Sequence, residues 1–262
     1  MTTEKKIIFT CGTKGGVGKS LFLRYIIEWF TGRDEKPKLI DIDDDAQTLK
    51  RYYPKARLIN SAEKNALDEI IQDAIVTKEK YTIVDLKAGM SKRVLEWLES
   101  VDYQELKEEY NIDFIFIACF TTQQDSVNAF TVWAETLKEH VNYLFVLNNF
   151  MQGEFLKYIN SKEENLSGFI SYRNSKAIQN LLEKGAAHEI FLGKMDEDIQ
   201  ADLEEYSVRL TDFINEVQTC EDSVHMNPLL QKKKMRKYLR RVMKEIDKVK
   251  DVLLVQEPSN LP

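Results

Sequence analysis

Apolar runs rich in Ile, Val and Phe recur along the chain at 6–11, 37–42, 81–85, 112–120 and 141–147, with a weaker one near 167–172. They are apolar throughout instead of alternating, as strands are when both faces of a parallel sheet are covered. Between them, apolar positions spaced by three and four predict helices over 19–30, 62–75, 92–99, 125–140 and 175–184. Strand–helix alternation of this kind predicts an α/β fold, a doubly wound and mostly parallel sheet with helices on both faces. Ligands of such sheets sit at the carboxyl ends of the strands. A further helix over 198–217 is expected to pack back onto the sheet.

Asn227-Pro228 reads as a boundary that divides the chain into a main domain, 1–220, and a C-terminal extension, 221–262. The extension predicts one long helix up to 255, followed by a polar tail over 256–262. Met235, Leu239, Val242, Ile246, Val249 and Leu253 follow one another at spacings of 4, 3, 4, 3 and 4, which is a heptad seam. Basic side chains cover much of the remaining surface of this helix.

Composition adds bounds. With 262 residues, 43% hydrophobic and 31% charged, the chain can bury a full core as one α/β domain. No run of 18 apolar residues is present, which argues against a spanning helix, and the N-terminus lacks a signal-peptide core. Cys11, Cys119 and Cys220 are odd in number and widely spaced, so they read as small buried hydrophobes in a reducing cytoplasm. His140, His188 and His225 have no partners at metal-ligand spacing. The net charge of −6 is unevenly spread: residues 231–250 carry ten Lys/Arg against two acids, which leaves the rest of the chain at −14. A polyanion contact, if made, is therefore local to that helix.

The chemistry-bearing segment is Cys11-Gly12-Thr13-Lys14-Gly15-Gly16-Val17-Gly18-Lys19-Ser20, placed after the first strand and opening the first helix. Glycines allow successive backbone N–H groups of such a loop to face inward, and the helix N-terminus completes an anion nest. Gly15, Gly16, Val17, Gly18, Lys19 and Ser20 are thus the candidate nucleotide-binding residues. Lys19 is a mobile charge for the β- and γ-phosphates, and the Ser20 hydroxyl is a ligand for Mg²⁺. Thr13 stands where the general phosphate-loop pattern has glycine.

Lys14-Gly15-Gly16-Val17-Gly18-Lys19-Ser20 resembles the deviant Walker A loop of the ParA/MinD family of P-loop ATPases, where a signature lysine precedes the two glycines. That resemblance implies that Lys14 reaches the nucleotide of a second protomer, so that ATP·Mg²⁺ assembles a homodimer around two nucleotides. Lys38-Leu39-Ile40-Asp41-Ile42-Asp43-Asp44-Asp45-Ala46-Gln47 is similar to the family's second-strand motif. The likeness gives Asp43 the role of orienting water near the metal, with Asp44 in place of the usual proline. Tyr81-Thr82-Ile83-Val84-Asp85-Leu86-Lys87-Ala88-Gly89 looks like Walker B. Asp85 would then hold Mg²⁺, Gly89 would free a switch segment, and Lys87 occupies a position where relatives carry Pro or Thr. Asp125, after Cys119-Phe120-Thr121-Thr122-Gln123-Gln124, reads either as lining the nucleotide pocket or as a plain helix N-cap. Asn148 reads either as an adenine contact or as a turn residue. The segment 170–185 followed by Phe191 resembles the family's last strand–helix unit. The resemblance covers most of 5–217 and is specific in the three phosphate and metal motifs.

What the resemblance implies is an ATPase with ATP and Mg²⁺ as cofactors, Lys14, Lys19 and Asp43 as catalytic residues, and Ser20, Asp43 and Asp85 at the metal. Its slow hydrolysis would time the partition or positioning of a plasmid or protein cargo, with an activating protein partner. Two alternatives stay open: an accessory ATPase of a conjugation or secretion system, and a metabolic or maturation enzyme on the same fold. The absence of an Asn-Lys-x-Asp motif fits ATP over GTP. For the C-terminal helix three readings compete. It packs on its own domain; or it contacts DNA non-specifically through Lys232, Lys233, Lys234, Arg236, Lys237, Arg240 and Arg241; or it lies on a membrane surface, which the lack of Trp and Phe on its apolar face disfavours.

Overall fold

Seven parallel strands form one sheet in the computed structural model, which describes residues 4–12, 14–149, 168–205, 207–215 and 228–256. In chain order the elements are β1 (Lys5–Cys11), α1 (Lys19–Thr31), β2 (Lys38–Asp41), α2 (Thr48–Tyr52), β3 (Arg57–Leu58), α3 (Ala66–Val76) and β4 (Tyr81–Asp85). They continue with α4 (Ser91–Ser100), α5 (Tyr103–Tyr110), β5 (Ile112–Phe120), α6 (Gln124–Leu137), β6 (Asn142–Asn148), α7 (Ile170–Asn174), α8 (Lys176–Glu183) and β7 (Ala187–Leu192). Last come α9 (Glu197–Glu205), α10 (Leu210–Asn215), α11 (Pro228–Asp247) and α12 (Lys250–Leu253).

The strand order is β3-β2-β4-β1-β5-β6-β7. The chain winds outward from β1 through β2 to β3, returns to β4, and then crosses to β5 on the other side of β1. The carboxyl end of β1 is therefore the switch point, where diverging crossovers leave a crevice for a ligand. Alternate residues of β1 feed two cores, as strand geometry requires. Ile7, Phe9 and Cys11 pack with α3, α4, α6 and α8, and Ile8 packs with α1, α9, α10 and α11. Two adjacent lysines finish the job at the other end of the strand. Lys5 Nζ donates to the carbonyls of Ala74, Ile75 and Thr77, closing α3 on one face, and Lys6 Nζ donates to the carbonyl of Val252 on the other.

Five of the predicted strands are present, and the sixth is not. The run near 167–172 is the start of α7, where Phe169 and Tyr172 are buried three residues apart and Ile170 points to water. Ser167 lies outside the described residues. The last strand is instead β7, whose edge position leaves His188, Glu189 and Phe191 only half-buried and so blurs its apolar signal. The two-residue β3, both of its residues exposed, and the polar α5 carry no periodicity from which to predict them. The helix expected over 198–217 is two, α9 and α10, and the long C-terminal helix breaks after Asp247, before α12.

The heptad seam of that C-terminal segment is inside the domain. Met235, Leu239, Val242, Ile246, Val249 and Leu253 are all buried in the same core as Phe22, Ile26 and Trp29 of α1. Full burial of an aliphatic side chain contributes on the order of 1.5–3 kcal/mol, so these six are a large share of what holds the α1 face together. A carboxylate anchors the rim: Asp247 accepts the indole N–H of Trp29 at 2.8 Å and also pairs with Arg33. Replacing the fully buried Ile246 by Ala is expected to cost about 2–5 kcal/mol in urea denaturation. A helix standing free of the sheet would show almost no change.

Candidate nucleotide-binding site

The loop between β1 and α1 has the conformation its glycines allow. Gly16 and Gly18 have φ of 71° and 97°, left-handed values that L side chains avoid. At Gly18 a second reason applies, because a Cβ there would lie 2.4 Å from Nδ2 of Asn148. That amide donates to the carbonyl of Val17 at 3.0 Å, so the end of β6 braces the loop from below. α1 begins with no side-chain cap and no acidic residue in its first turn, leaving its N-terminal N–H groups for an anion. Thr13 lies outside the described residues.

The two lysines of the loop are placed differently. Lys19 is buried, and its Nζ donates to the carbonyl of Lys14 at 2.8 Å, curled over the loop it would share with phosphates. Lys14 turns away to the rim, where its Nζ meets Gln123 Oε1 at 2.6 Å and Asp125 Oδ2 at 3.2 Å. Asp125 is not the N-cap of α6, since the helix begins one residue earlier and Gln123 precedes it. It sits in the first turn and faces Lys14.

Beside the loop, two strands contribute acids. Asp41 and Asp85 occupy the same register position on β2 and β4. Asp41 is fully buried and spends both oxygens on backbone, Oδ1 accepting from the Asp43 N–H at 3.0 Å and Oδ2 from the Lys50 N–H at 2.8 Å. It shapes the loop after β2 and caps α2. Asp85, 1% exposed, accepts the Thr10 hydroxyl on Oδ1 at 3.2 Å, while its Oδ2 is buried with no hydrogen bond. Burial pushes its carboxyl up to about 7, with Asp41 adding to the shift and the Ser20 and Thr10 hydroxyls opposing it. An unspent carboxylate oxygen near a serine hydroxyl at the mouth of a phosphate loop suits a hard divalent cation such as Mg²⁺. Among the described residues no group of three or more His, Cys, Asp or Glu could hold a metal alone, so a cation here needs Ser20 and nucleotide oxygens as well.

Asp43 is half-buried, with Oδ1 accepting from the Ala46 N–H at 3.0 Å and its carbonyl from the Gln47 N–H at 2.7 Å. The geometry thus brings Lys19, Ser20 and Asp85 together at the end of β1, leaves Lys14 at the rim and Asp43 in the loop after β2, and ties Asn148 to the loop backbone. Three features escaped sequence reading. Thr10 is one, although a lone hydroxyl residue in an otherwise apolar strand is a signal. The second is Asn149, 4% exposed with Oδ1 buried and unbonded, a free acceptor next to the amide already spent on Val17. The third is the contact of Lys87 with Asp44 and Asp45.

The basic C-terminal residues lie on the sheet face that carries α1. Lys234 is paired with Asp196 at 2.7 Å, and Arg236 donates to the carbonyl of Ile214 at 3.3 Å. Lys237, Arg240 and Arg241 line an open cavity of ≈ 320 Å³ together with Lys244. Lys233 is exposed and Lys232 half-buried. No described helix is long and apolar enough to cross a membrane. Cys11 and Cys119 are free and buried, whereas Cys220 and His225 lie outside the described residues.

A sheet of parallel strands with a glycine-rich loop between the central strand and its helix is an arrangement of phosphate-binding α/β folds, P-loop proteins among them. Solved structures of such folds resemble the chain. The MinD cell division protein of Aquifex aeolicus is 14% identical with a TM-score of 0.46, over 92% of this chain and 97% of that one. A putative plasmid partition protein of Borrelia burgdorferi, bound to AMPPNP, is 12% identical with a TM-score of 0.42, over 91% and 99%. The signal recognition particle receptor FtsY of Elizabethkingia anophelis is 12% identical with a TM-score of 0.40. That match covers 56% of this chain, which spans about half (51%) of the receptor chain. No protein-family model matches the sequence, and no curated protein matches it.

The orphan oxygen of Asp85 generates a test. Asp85→Asn removes a buried charge without changing shape, and the nucleotide-free protein should gain on the order of 1 kcal/mol in thermal unfolding. If Asp85 holds Mg²⁺, any stabilisation that Mg²⁺ adds to that of ATP is lost in the same variant. A loss of nucleotide-free stability would instead mark Asp85 as a structural residue.

Proposed function

We propose that this protein is an ATP-dependent dimerisation switch, which hydrolyses ATP slowly and so times the partition or positioning of a cargo in the cytoplasm. The observation that carries the reading is the position of Lys14. It belongs to the phosphate loop by sequence, yet its ammonium lies at the rim against Gln123 and Asp125 while Lys19 stays over the loop. A rim cation is of use to a nucleotide presented by a second protomer, where it would neutralise charge spreading over the transferring phosphoryl group. In this reading Gly15, Gly16, Val17, Gly18, Lys19 and Ser20 cradle the phosphates. Ser20 and Asp85 hold Mg²⁺, and Asp43 orients the attacking water. Asn149, with its unspent acceptor, is a better candidate than Asn148 for the adenine amine.

The outward stripe of α11 supports a second contact. Lys233, Lys237, Arg240, Arg241 and Lys244 recur at spacings of 4, 3, 1 and 3, on the side opposite the buried seam. A row of cations with no apolar interleaving suits a phosphate backbone read without sequence preference. Duplex DNA is the proposed ligand, with Lys234 and Arg236, bonded to Asp196 and to the carbonyl of Ile214, flanking the stripe.

Light scattering of the wild type and Lys14→Ala, with ATP·Mg²⁺ and with ADP, checks the switch. The wild type is expected to double in mass with ATP·Mg²⁺ alone, and Lys14→Ala to stay monomeric. A monomer in every condition with ATP turnover intact would overturn the dimer and point to an enzyme with a small-molecule acceptor. For the stripe, Arg240→Ala with Lys244→Ala should weaken DNA binding and reduce the slope of log K against log salt by roughly 2. An unchanged slope would remove DNA from the proposal.

A further inference from the structure

Two positions of this chain that depart from the resembling family, Asp44 and Lys87, meet in space. Lys87 Nζ lies 2.7 Å from Asp45 Oδ2 and 3.3 Å from Asp44 Oδ1, joining the loop after β4 to the loop after β2. Asp44 Oδ1 also accepts the hydroxyl of Ser61, a buried residue, and the carbonyl of Ser61 accepts the guanidinium of Arg93 on α4. Arg93 in turn bonds the carbonyl of Glu63. The result is a line of polar contacts from Asp45 through Lys87, Asp44 and Ser61 to α4.

We infer that Lys87 is a positioning residue, whose ammonium clasps the loop bearing Asp43 to the loop that follows Asp85. The catalytic part of this inference rests on the ATP-hydrolysis reading above, and the clasp itself does not. An isolated surface ion pair would carry little weight, and the Asp45 side chain, 76% exposed, is such a partner. Asp44 is different. It is 29% exposed, shared between Lys87 and Ser61, and anchored through a buried residue, so its side chain is fixed before Lys87 arrives. Asp43 sits between two restraints, its N–H bonded to Asp41 and its next neighbour held in the clasp.

Charge makes the same residue necessary. Asp41, Asp43, Asp44, Asp45 and Asp85 collect around the end of the sheet where an anionic triphosphate has to enter. Lys87 contacts two of the five and offsets one of their charges. Proline, the residue the resembling pattern has at position 44, restrains a backbone covalently through its fixed φ. An ion pair restrains it reversibly, so the loop after β2 can be held in one state and released in another. Gly89, with φ of 89°, turns the loop after β4 through a left-handed conformation that glycine adopts readily.

Hydrogen exchange on the nucleotide-free, full-length protein tests the clasp without reference to catalysis. The amides of Asp43, Ala46 and Gln47 are all hydrogen-bonded within the loop. Lys87→Met is expected to speed their exchange by about tenfold, with Asp45→Asn smaller and Lys87→Arg near wild type. Unchanged exchange in Lys87→Met, with normal thermal stability, would overturn the clasp. If Lys87→Met does not fold, Lys87→Gln and Asp44→Asn are read by the same criterion. Single-turnover hydrolysis at saturating ATP·Mg²⁺ then tests the positioning role. Lys87→Met should slow the step about tenfold while ATP affinity changes less than threefold, and Lys87→Arg should recover most of the rate. Faster exchange with an unaltered hydrolysis rate would overturn the positioning role and leave a purely structural tie. A wild type that binds ATP without hydrolysing it would instead sink the ATPase reading, and with it any role of Lys87 in turnover, while the exchange result would still decide the clasp.

Discussion

The hydroxyl of Thr10 is the joint on which the loop-bearing end of the sheet depends. It donates to Asp85 Oδ1 and accepts from the Leu86 N–H at 2.8 Å, fixing the end of β4 to the end of β1 inside the core. With one oxygen of Asp85 so held, the other lies beside the Ser20 hydroxyl without a hydrogen bond of normal geometry. Leaving a carboxylate oxygen bare in a low-dielectric site costs stability, and proteins tolerate such a cost where function uses the group. The strand carrying Asp85 pairs in turn with β2, so Asp41 is fixed by register and the loop bearing Asp43 by Asp41. A single buried hydroxyl thus helps to place Asp85 and, through β2, the acidic loop that bears Asp43 relative to the glycine-rich loop.

The architecture was legible in the sequence where burial on both sides wrote a continuous apolar word. β1, β4, β5 and β6 lie in the middle of the sheet, and each reads plainly. Legibility fell toward the edges. β7 is half-wet and was displaced in the reading by the apolar start of α7, where Ile170 faces solvent and mimics a strand residue. β3 is too short for any period to exist. The phosphate loop was readable because backbone geometry admits so few sequences there; the left-handed Gly18, braced by Asn148, is such a constraint. The destinations of Lys14, Lys87 and Asn149 were not readable, because a long side chain's partner is set by tertiary distance and nothing local encodes it.

The C-terminal segment shows how composition can mislead about organisation. Its charge, opposite in sign to that of the rest of the chain, suggests an appendage. Its seam is nonetheless continuous with the packing under α1, the helix whose first residues are Lys19 and Ser20. The basic residues are basic on the outward side only.

That two-sidedness has a consequence for how the protein can change over generations. The inward row of α11 is fixed by the shapes it meets, and shortening the chain to remove the charges would take the row away as well. The outward row is exposed, and Lys or Arg can there be exchanged for neutral residues at little cost to folding. Drift in surface charge can therefore retune or erase an affinity for polyanions while the domain beneath keeps its stability. Relatives with the same inward row and very different outward charge would be variants of one scaffold, sorted by what they adhere to.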